Sequence, residues 1–344
     1  MNLLVTKNSF FTATFIMVVL FGSLFFDVGS AYAQFSGGRD VRIFLSLNPE
    51  HPQPGESVRI TADSPLIDIS QSDIVWYVND KAFAQNPGQK EVDIILVSLG
   101  SETHVSAVAR TQDGTSASGE VFIRPAVVDL LWESDSFVPP FYRGRALPSA
   151  GTFIRANAIV HFEPAETLQT PERDIIYTWK RNGSLVQSVS GRGKSSAVFP
   201  SPTLFGTDTI EVVASALGGA KEGGARVVIP SIEPVLTLYK NHPLFGISYN
   251  QALEEAESMP DTEMSFSAVP YFAEAEGPND PALNYSWSIN GIDIGTDESR
   301  RNALTINADK SNGLARIALS VTHAVNLFMQ SSGSWEVTLG ASNQ

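Results

Sequence analysis

The chain has no cysteine among its 344 residues. That absence excludes a disulfide framework, a thiol nucleophile, thiolate metal ligation and a lipid-modified cysteine anchor. Each folded unit must therefore be large enough to stand on its own hydrophobic core. Histidine is nearly as scarce, with His51, His104, His161, His242 and His323 as the full set of five. No two share metal-ligand spacing, and no H-E-x-x-H occurs. The G-x-S-x-G elbow of serine hydrolases and the D-x-D-x-D-G loop of calcium sites are also missing. The residues thus point to no enzyme, no metal and no cofactor. A hydrolase reading would need a pocket that gathers two carboxylates or a His–carboxylate pair.

Positive charge is in deficit: 23 Lys and Arg face 37 Asp and Glu, a net charge of −14. The imbalance is uneven. Residues 34–125 carry 7 basic and 12 acidic residues, 126–230 carry 10 of each, and 231–344 carry 5 against 14. Acidic ends argue against nucleic acid or anionic lipid as a partner, since both call for a basic face. Long apolar runs are confined to the beginning. Lys7 precedes 17 uncharged, mostly apolar residues, Phe10–Phe26, and Ala31-Tyr32-Ala33 closes an A-x-A pattern. This reads as a signal-peptide helix over 1–33, cleaved before Gln34, and places the chain in the cell envelope or outside the cell. An uncleaved membrane anchor is the competing reading; the run falls short of a ~30 Å hydrocarbon core at ~1.5 Å per residue. Residues 34–39 read as a loose tether.

What the chain does have is a repeat of about one hundred residues. Ile74-Val-Trp76-Tyr-Val-Asn79-Asp80, Tyr177-Thr-Trp179-Lys-Arg-Asn182-Gly183 and Tyr285-Ser-Trp287-Ser-Ile-Asn290-Gly291 share a Trp, an Asn three residues on, and a large apolar residue two before the Trp. An opening strand precedes each Trp at Ser57–Ala62, Thr152–Ala156 and Glu263–Ala268. Alternating segments follow at His104–Ala109, Thr209–Ala214 and Arg316–Val321, then final strands at Glu120–Ile123, Arg226–Ile229 and Glu336–Leu339. Period-two alternation of β-branched and aromatic residues predicts antiparallel strands. Asn-Gly predicts a type I′ hairpin turn after the Trp strand. Trp76, Trp179 and Trp287 are expected to face inward as the structural core of two packed sheets.

These strands, with Pro52–Val58 before the first of them, resemble the bacterial immunoglobulin-like superfamily, which includes the PKD-like domains. The resemblance covers nearly all of residues 40–342. It lacks the inter-sheet Cys pair of antibody domains and the F-G-D-G that follows the Trp in many PKD domains. It implies an all-β chain of three tandem antiparallel sandwiches, at 40–125, 126–230 and 231–344, serving surface adhesion, spacing or glycan contact. The short junctions Arg124-Pro125-Ala126 and Pro230-Ser231-Ile232 favour a semi-rigid rod over a flexible string.

Two stretches interrupt the strand pattern. Phe137–Gly151 reads as a long loop in which Phe141, Tyr142, Arg143 and Arg145 are candidate contacts for a protein or glycan partner. In the matching interval, Asn250–Met259 is rich in Ala, Glu and Leu and predicts a short helix, with Ser248 and Gln251 as a weak capping box. Gly191-Arg192-Gly193-Lys194-Ser195 ends like a phosphate loop, but Ser188 stands where the first glycine belongs and no strand-to-helix context surrounds it. Arg192 and Lys194 instead join Lys180 and Arg181 as a candidate basic cluster for an acidic partner. The solvated-loop reading stands beside each of these, as does coincidence for the glycosylation patterns Asn182-Gly-Ser184 and Asn284-Tyr-Ser286. Two functions remain: a structural or interaction rod of the cell envelope or surface, and a glycan- or peptide-binding module using the loops of the second and third domains.

Overall fold

Long strands with every second side chain buried recur among the described residues, as in Thr207–Ala216 and Gly313–His323. The computed structural model describes residues 41–202, 206–219, 221–259, 263–295, 297–308 and 312–340. The signal segment and the tether lie outside them. Among the described residues there is no α-helix, and two short 3-10 turns, Ile69–Gln71 and Glu172–Asp174, interrupt the strands.

The first sandwich contains β1 (Val41–Arg42), β2 (Phe44–Asn48), β3 (Ser57–Asp63), β4 (Asp73–Val78), β5 (Lys81–Pro87), β6 (Glu91–Ile95), β7 (Thr103–Arg110) and β8 (Ser116–Ile123). One sheet runs β1-β8-β7-β4-β5 and the other β2-β3-β6. The second has β9 (Val127–Ser134), β10 (Phe153–His161), β11 (Ile175–Arg181), β12 (Ser184–Leu185), β13 (Gly191–Arg192), β14 (Ser196–Pro200), β15 (Thr207–Ala216) and β16 (Glu222–Pro230). Here β14-β10-β9 opposes β12-β11-β15-β16, with β13 also on β11. The third has β17 (Val235–His242), β18 (Gly246–Ala252), β19 (Ala256–Ser258), β20 (Glu263–Tyr271), β21 (Leu283–Ile289), β22 (Ile292–Ile294), β23 (Ala303–Asn307), β24 (Gly313–His323) and β25 (Gln330–Leu339). Its sheets are β18-β17-β20-β23 and β19-β25-β24-β21-β22. This is a tandem of immunoglobulin-like β-sandwiches. The opening strands expected from the sequence are β3, β10 and β20; in each sandwich an earlier strand, β2, β9 or β17, pairs with them.

Three separate hydrophobic cores fill the three sheet pairs. Trp76, Trp179 and Trp287 are each at most 1 % exposed and belong to different cores. Removing such an indole costs about 3–5 kcal/mol. A buried indole N–H needs an acceptor, and all three find the same one. Nε1 donates to the carbonyls of Gln89 at 3.0 Å, Lys194 at 2.8 Å and Arg301 at 3.0 Å. Each carbonyl lies two residues before a strand of the facing sheet, β6, β14 or β23. The Trp therefore ties the two sheets together as well as filling the space between them.

The Asn three residues later has its own repeated task. Asn79, Asn182 and Asn290 have φ of 49°, 51° and 52°, and the next residues Asp80, Gly183 and Gly291 are also at positive φ. Two left-handed residues in succession make the type I′ turn. The Asn side chain then extends the ladder to the neighbouring strand: Oδ1 accepts from the backbone N–H of His104, Thr209 and Arg316. The same three residues accept from the backbone N–H of the Asn.

The helix expected over Asn250–Met259 is not formed. β18 pairs antiparallel with β17, and β19 pairs parallel with β25. Ser248 and Gln251 are strand residues, so no capping box exists. Leu253 and Met259 are buried in the third core. Burying two such side chains contributes roughly 1.5–3 kcal/mol each, whereas helix propensity differs by only tenths per residue. Packing prevails over propensity.

Candidate functional site

Phe137–Gly151 is a long irregular loop between β9 and β10, and it makes several backbone contacts with the third sandwich. Phe137 N–H donates to the Ala273 carbonyl at 2.9 Å, and Phe272 N–H donates to the Phe137 carbonyl at 2.6 Å, a short antiparallel bridge. Ile232 N–H donates to the Pro148 carbonyl at 2.9 Å. Ser149 Oγ donates to the Phe272 carbonyl at 2.5 Å, and Asn326 Nδ2 to the Ala150 carbonyl at 2.9 Å.

Under this loop is a group of buried hydroxyls: Ser134, Ser136, Ser149, Thr152 and Ser201. Thr152 Oγ1 meets the Ser149 carbonyl at 2.8 Å, the Ser149 N–H at 3.1 Å and Ser201 Oγ at 2.9 Å. Ser136 Oγ donates to the Leu147 carbonyl at 2.7 Å. Unpaired, such groups would cost about 1–3 kcal/mol each; paired, they fix the path of the loop.

The candidate aromatics divide. Tyr142 leans edge-on against Tyr271 and Phe272, with centroids 5.7 and 5.8 Å away, and is therefore part of the junction. Tyr271 in turn shares a 2.5 Å hydroxyl contact with Tyr239, whose ring stacks at a tilt on Tyr249. Burial, reinforced by the Tyr239 hydrogen bond, pushes the Tyr271 phenol above its ordinary range, and burial does the same for Tyr249. Both remain hydrogen-bonding phenols rather than nucleophiles. Phe141 does the opposite of Tyr142: it is 93 % exposed at φ 68°. Arg145 lies over the Trp132 ring at 4.4 Å, and Arg143 is exposed. The β24–β25 turn converges on the same place. Its Asn326 binds Glu274 at 2.6 Å, and the flanking Val325, Leu327 and Phe328 are exposed. Nothing in the sequence linked this turn to the loop, because their adjacency is tertiary.

The basic cluster is not assembled. Arg181 is paired with the buried Asp208 at 2.5 Å. Arg192 pairs with Asp174 at 2.6 Å and also donates to the Arg173 carbonyl. Lys194 Nζ donates to the Ser188 carbonyl at 2.8 Å. Lys180 lies beside Glu211 across the ladder, one face away from Arg181. Arg192 pairs with Ile176 on β11, four residues from Lys180, about 13 Å along a strand. Sequence proximity had suggested a patch; alternation and strand length disperse it.

Lys180 instead lines an open cleft of ≈ 590 Å³ between the first two sandwiches, together with His51, Glu211, Glu222 and Arg226. His51 contacts Glu222 at 3.5 Å and lies on the bare backbone of Gly224, where a Cβ would come within 2.5 Å of its ring. Gly100 makes a second close approach: a Cβ there would meet the Phe162 carbonyl at 2.8 Å, and its N–H donates to the Pro125 carbonyl at 3.2 Å.

The histidines stay apart. The nearest approach to a catalytic pair is His104, whose Nδ1 faces Asp80 at 3.3 Å and Nε2 faces Glu120 at 3.1 Å, with its ring stacked on Phe122. Both ring nitrogens are committed, so the group clamps the sheet rather than offering a base. His242 and His323 accept local backbone N–H bonds in their turns. Of the two glycosylation patterns, Asn182 has its amide bound to Thr209 and Asp208, while Asn284 is exposed on β21.

No family model and no curated protein matches this chain. Among solved structures it is similar to the central fibronectin-III array of RIM-binding protein, at 12% identity over 88% of this chain and 98% of that one, with a TM-score of 0.30. The three N-terminal domains of the bacteriophage RB49 outer capsid protein Hoc give 13% identity over 87% and 99%, with a TM-score of 0.25. The fibronectin(III)-like modules of Clostridium thermocellum CbhA give 12% over 55% and 94%, also at 0.25. At these values the fold rests on the sheet pairing itself.

Proposed function

We propose that this chain is an exported structural and interaction protein of the cell envelope or surface, three immunoglobulin-like sandwiches that space and dock a partner without catalysis. The carrying observation is that both junctions are closed by direct contact. His51 on Gly224 and Gly100 at Phe162 hold the first, and the Phe137–Gly151 loop holds the second. A spacer needs its units held at fixed angles, and contacts of this kind do so where a free linker would not. Export follows from the apolar run ahead of Ala31-Tyr32-Ala33, with the membrane involved only if that segment stays uncleaved.

Small-angle scattering of the mature chain tests the spacer: one rigid arrangement should fit the profile, and a requirement for a broad ensemble would sink the reading. Mass spectrometry of the protein from fractionated cells should find Gln34 at the mature N-terminus. A second reading, docking of a glycan or peptide by the loops of the second and third sandwiches, is favoured by Phe141, an aromatic ring held almost wholly in solvent.

A further inference from the structure

Large apolar side chains exposed together on a fixed scaffold mark a contact surface. At the second junction two loops converge on the segment Tyr271–Glu274: the β9–β10 loop through Tyr142 and Phe137, and the β24–β25 turn through Asn326. Both loops present apolar tips outward. Phe141 stands on one; Val325 and Leu327, 83 % and 86 % exposed, stand on the other with the half-exposed Phe328. The backbone beneath is held by buried hydroxyls and inter-sandwich hydrogen bonds, so ordering these tips on binding costs little further entropy. Phe141 also occupies a left-handed conformation, at φ 68°, that a bulky residue rarely adopts.

The charges nearby select the partner. Arg143 is exposed and has no hydrogen bond or ion pair among the described residues, and Arg145 lies over the Trp132 ring with no carboxylate partner among them. Glu274, in the segment on which the two loops converge, is held by the Asn326 amide. The patch is therefore apolar with unspent guanidinium groups, in a protein whose net charge is −14. An anionic membrane would face the acidic third sandwich along with the arginines, whereas a narrow ligand contacts the patch alone, within the ~8 Å screening length of physiological salt.

We propose that the two loops at the second junction form one docking surface for an acidic, apolar peptide segment of a partner protein, with Phe141 and Leu327 as apolar anchors and Arg143 as the charge contact. This rests on the docking reading above and supplies its ligand class. The test uses the full mature chain and fluorescein-labelled peptides alternating Asp or Glu with Leu or Trp, read by anisotropy. Lys-for-acid counterparts and vesicles of phosphatidylglycerol and phosphatidylethanolamine are run beside them. Binding of the acidic peptides should weaken at least tenfold in Arg143→Glu and in the double variant Phe141→Asp/Leu327→Asp, with the unfolding midpoint unchanged because all three side chains are exposed. Equal binding of the Lys counterparts, preference for the vesicles, indifference to the substitutions, or no peptide binding would each overturn the proposal. Scattering on the same samples separates this from the spacer, which fails only if the wild-type profile demands flexible sandwiches.

Discussion

Between the first and second sandwiches, short loops rest on bare backbone: His51 lies on Gly224, and Gly100 comes up to the Phe162 carbonyl. Between the second and third, a fifteen-residue stretch, Phe137–Gly151, is threaded through backbone bridges, buried hydroxyls and an aromatic contact. Each arrangement depends on glycine, but differently. Gly224 leaves room for a ring that lies in the space of its Cβ, whereas Gly151 combines φ 89° with a Cβ position 2.0 Å from Glu274 Oε2 and 2.3 Å from Asn326 Nδ2. The first junction is an approach of two surfaces, and the second is a network whose members fix one another. A network should fail more abruptly.

Gly151→Val is accordingly the most damaging single change. A β-branched residue in the left-handed region costs about 1–2 kcal/mol. Displacing Asn326 also forfeits its bonds to Ala150 and Glu274, about 1 kcal/mol each. A loss of roughly 2–4 kcal/mol, read by calorimetry as a lower midpoint shared by the second and third sandwiches, is the expected result. A midpoint within a degree of wild type would show that the network contributes nothing.

Gly224→Val tests the weaker junction. The His51 ring can swing away from a new Cβ, and its contact with the half-exposed Glu222 belongs to a class worth about 0–1 kcal/mol. The midpoints should move little, while scattering broadens as the first sandwich gains freedom. Should the whole chain lose as much stability as in Gly151→Val, the two junctions would be alike after all.

What the sequence disclosed follows the same division. The Trp–x–x–Asn signature was readable because its causes are local: an inward indole on an alternating strand and a left-handed turn directly after it. The partners that explain why the Asn recurs, the N–H groups of His104, Thr209 and Arg316, lie 25 to 27 residues away and carry no shared side chain. Asn250–Met259 was misread because its composition favours a helix while the demand to bury Leu253 and Met259 comes from β17 and β25. At the candidate site, Phe137–Gly151 stands out in the sequence because it interrupts the strand pattern. Its pairing with the 323–330 turn does not, because no local pattern encodes contact over more than 170 residues of chain. The basic cluster failed for a geometric reason. Residues close in sequence on a strand face opposite ways, and Arg181 and Arg192 each turned to a carboxylate of their own sandwich.

The smallest expected effect concerns acid, and it bears on the first junction alone. The Phe162 carbonyl that Gly100 approaches is followed by Glu163, which takes an ion pair from Lys221 and hydrogen bonds from Thr170 Oγ1 at 2.7 Å and Thr170 N–H at 3.3 Å. Burial pushes the Glu163 carboxyl upward, but the Lys221 and Thr170 hydrogen bonds outweigh it and hold the pKa below the ordinary glutamate value. A carboxylate whose folded pKa is depressed stabilises fully above the unfolded pKa, about 4.3 for glutamate. That stabilisation is lost as pH falls through the lower folded value. Hydrogen exchange at the Thr170 and Gly100 amides, corrected for intrinsic rates, should therefore accelerate below about pH 4, while the Phe137 and Phe272 amides of the second junction stay protected. Lys221→Met should shift the onset to higher pH, since removing the ammonium lets burial raise the carboxyl. Uniform loss of protection at both junctions would mean that acid acts on the whole fold and that Glu163 has no separate hold on its loop.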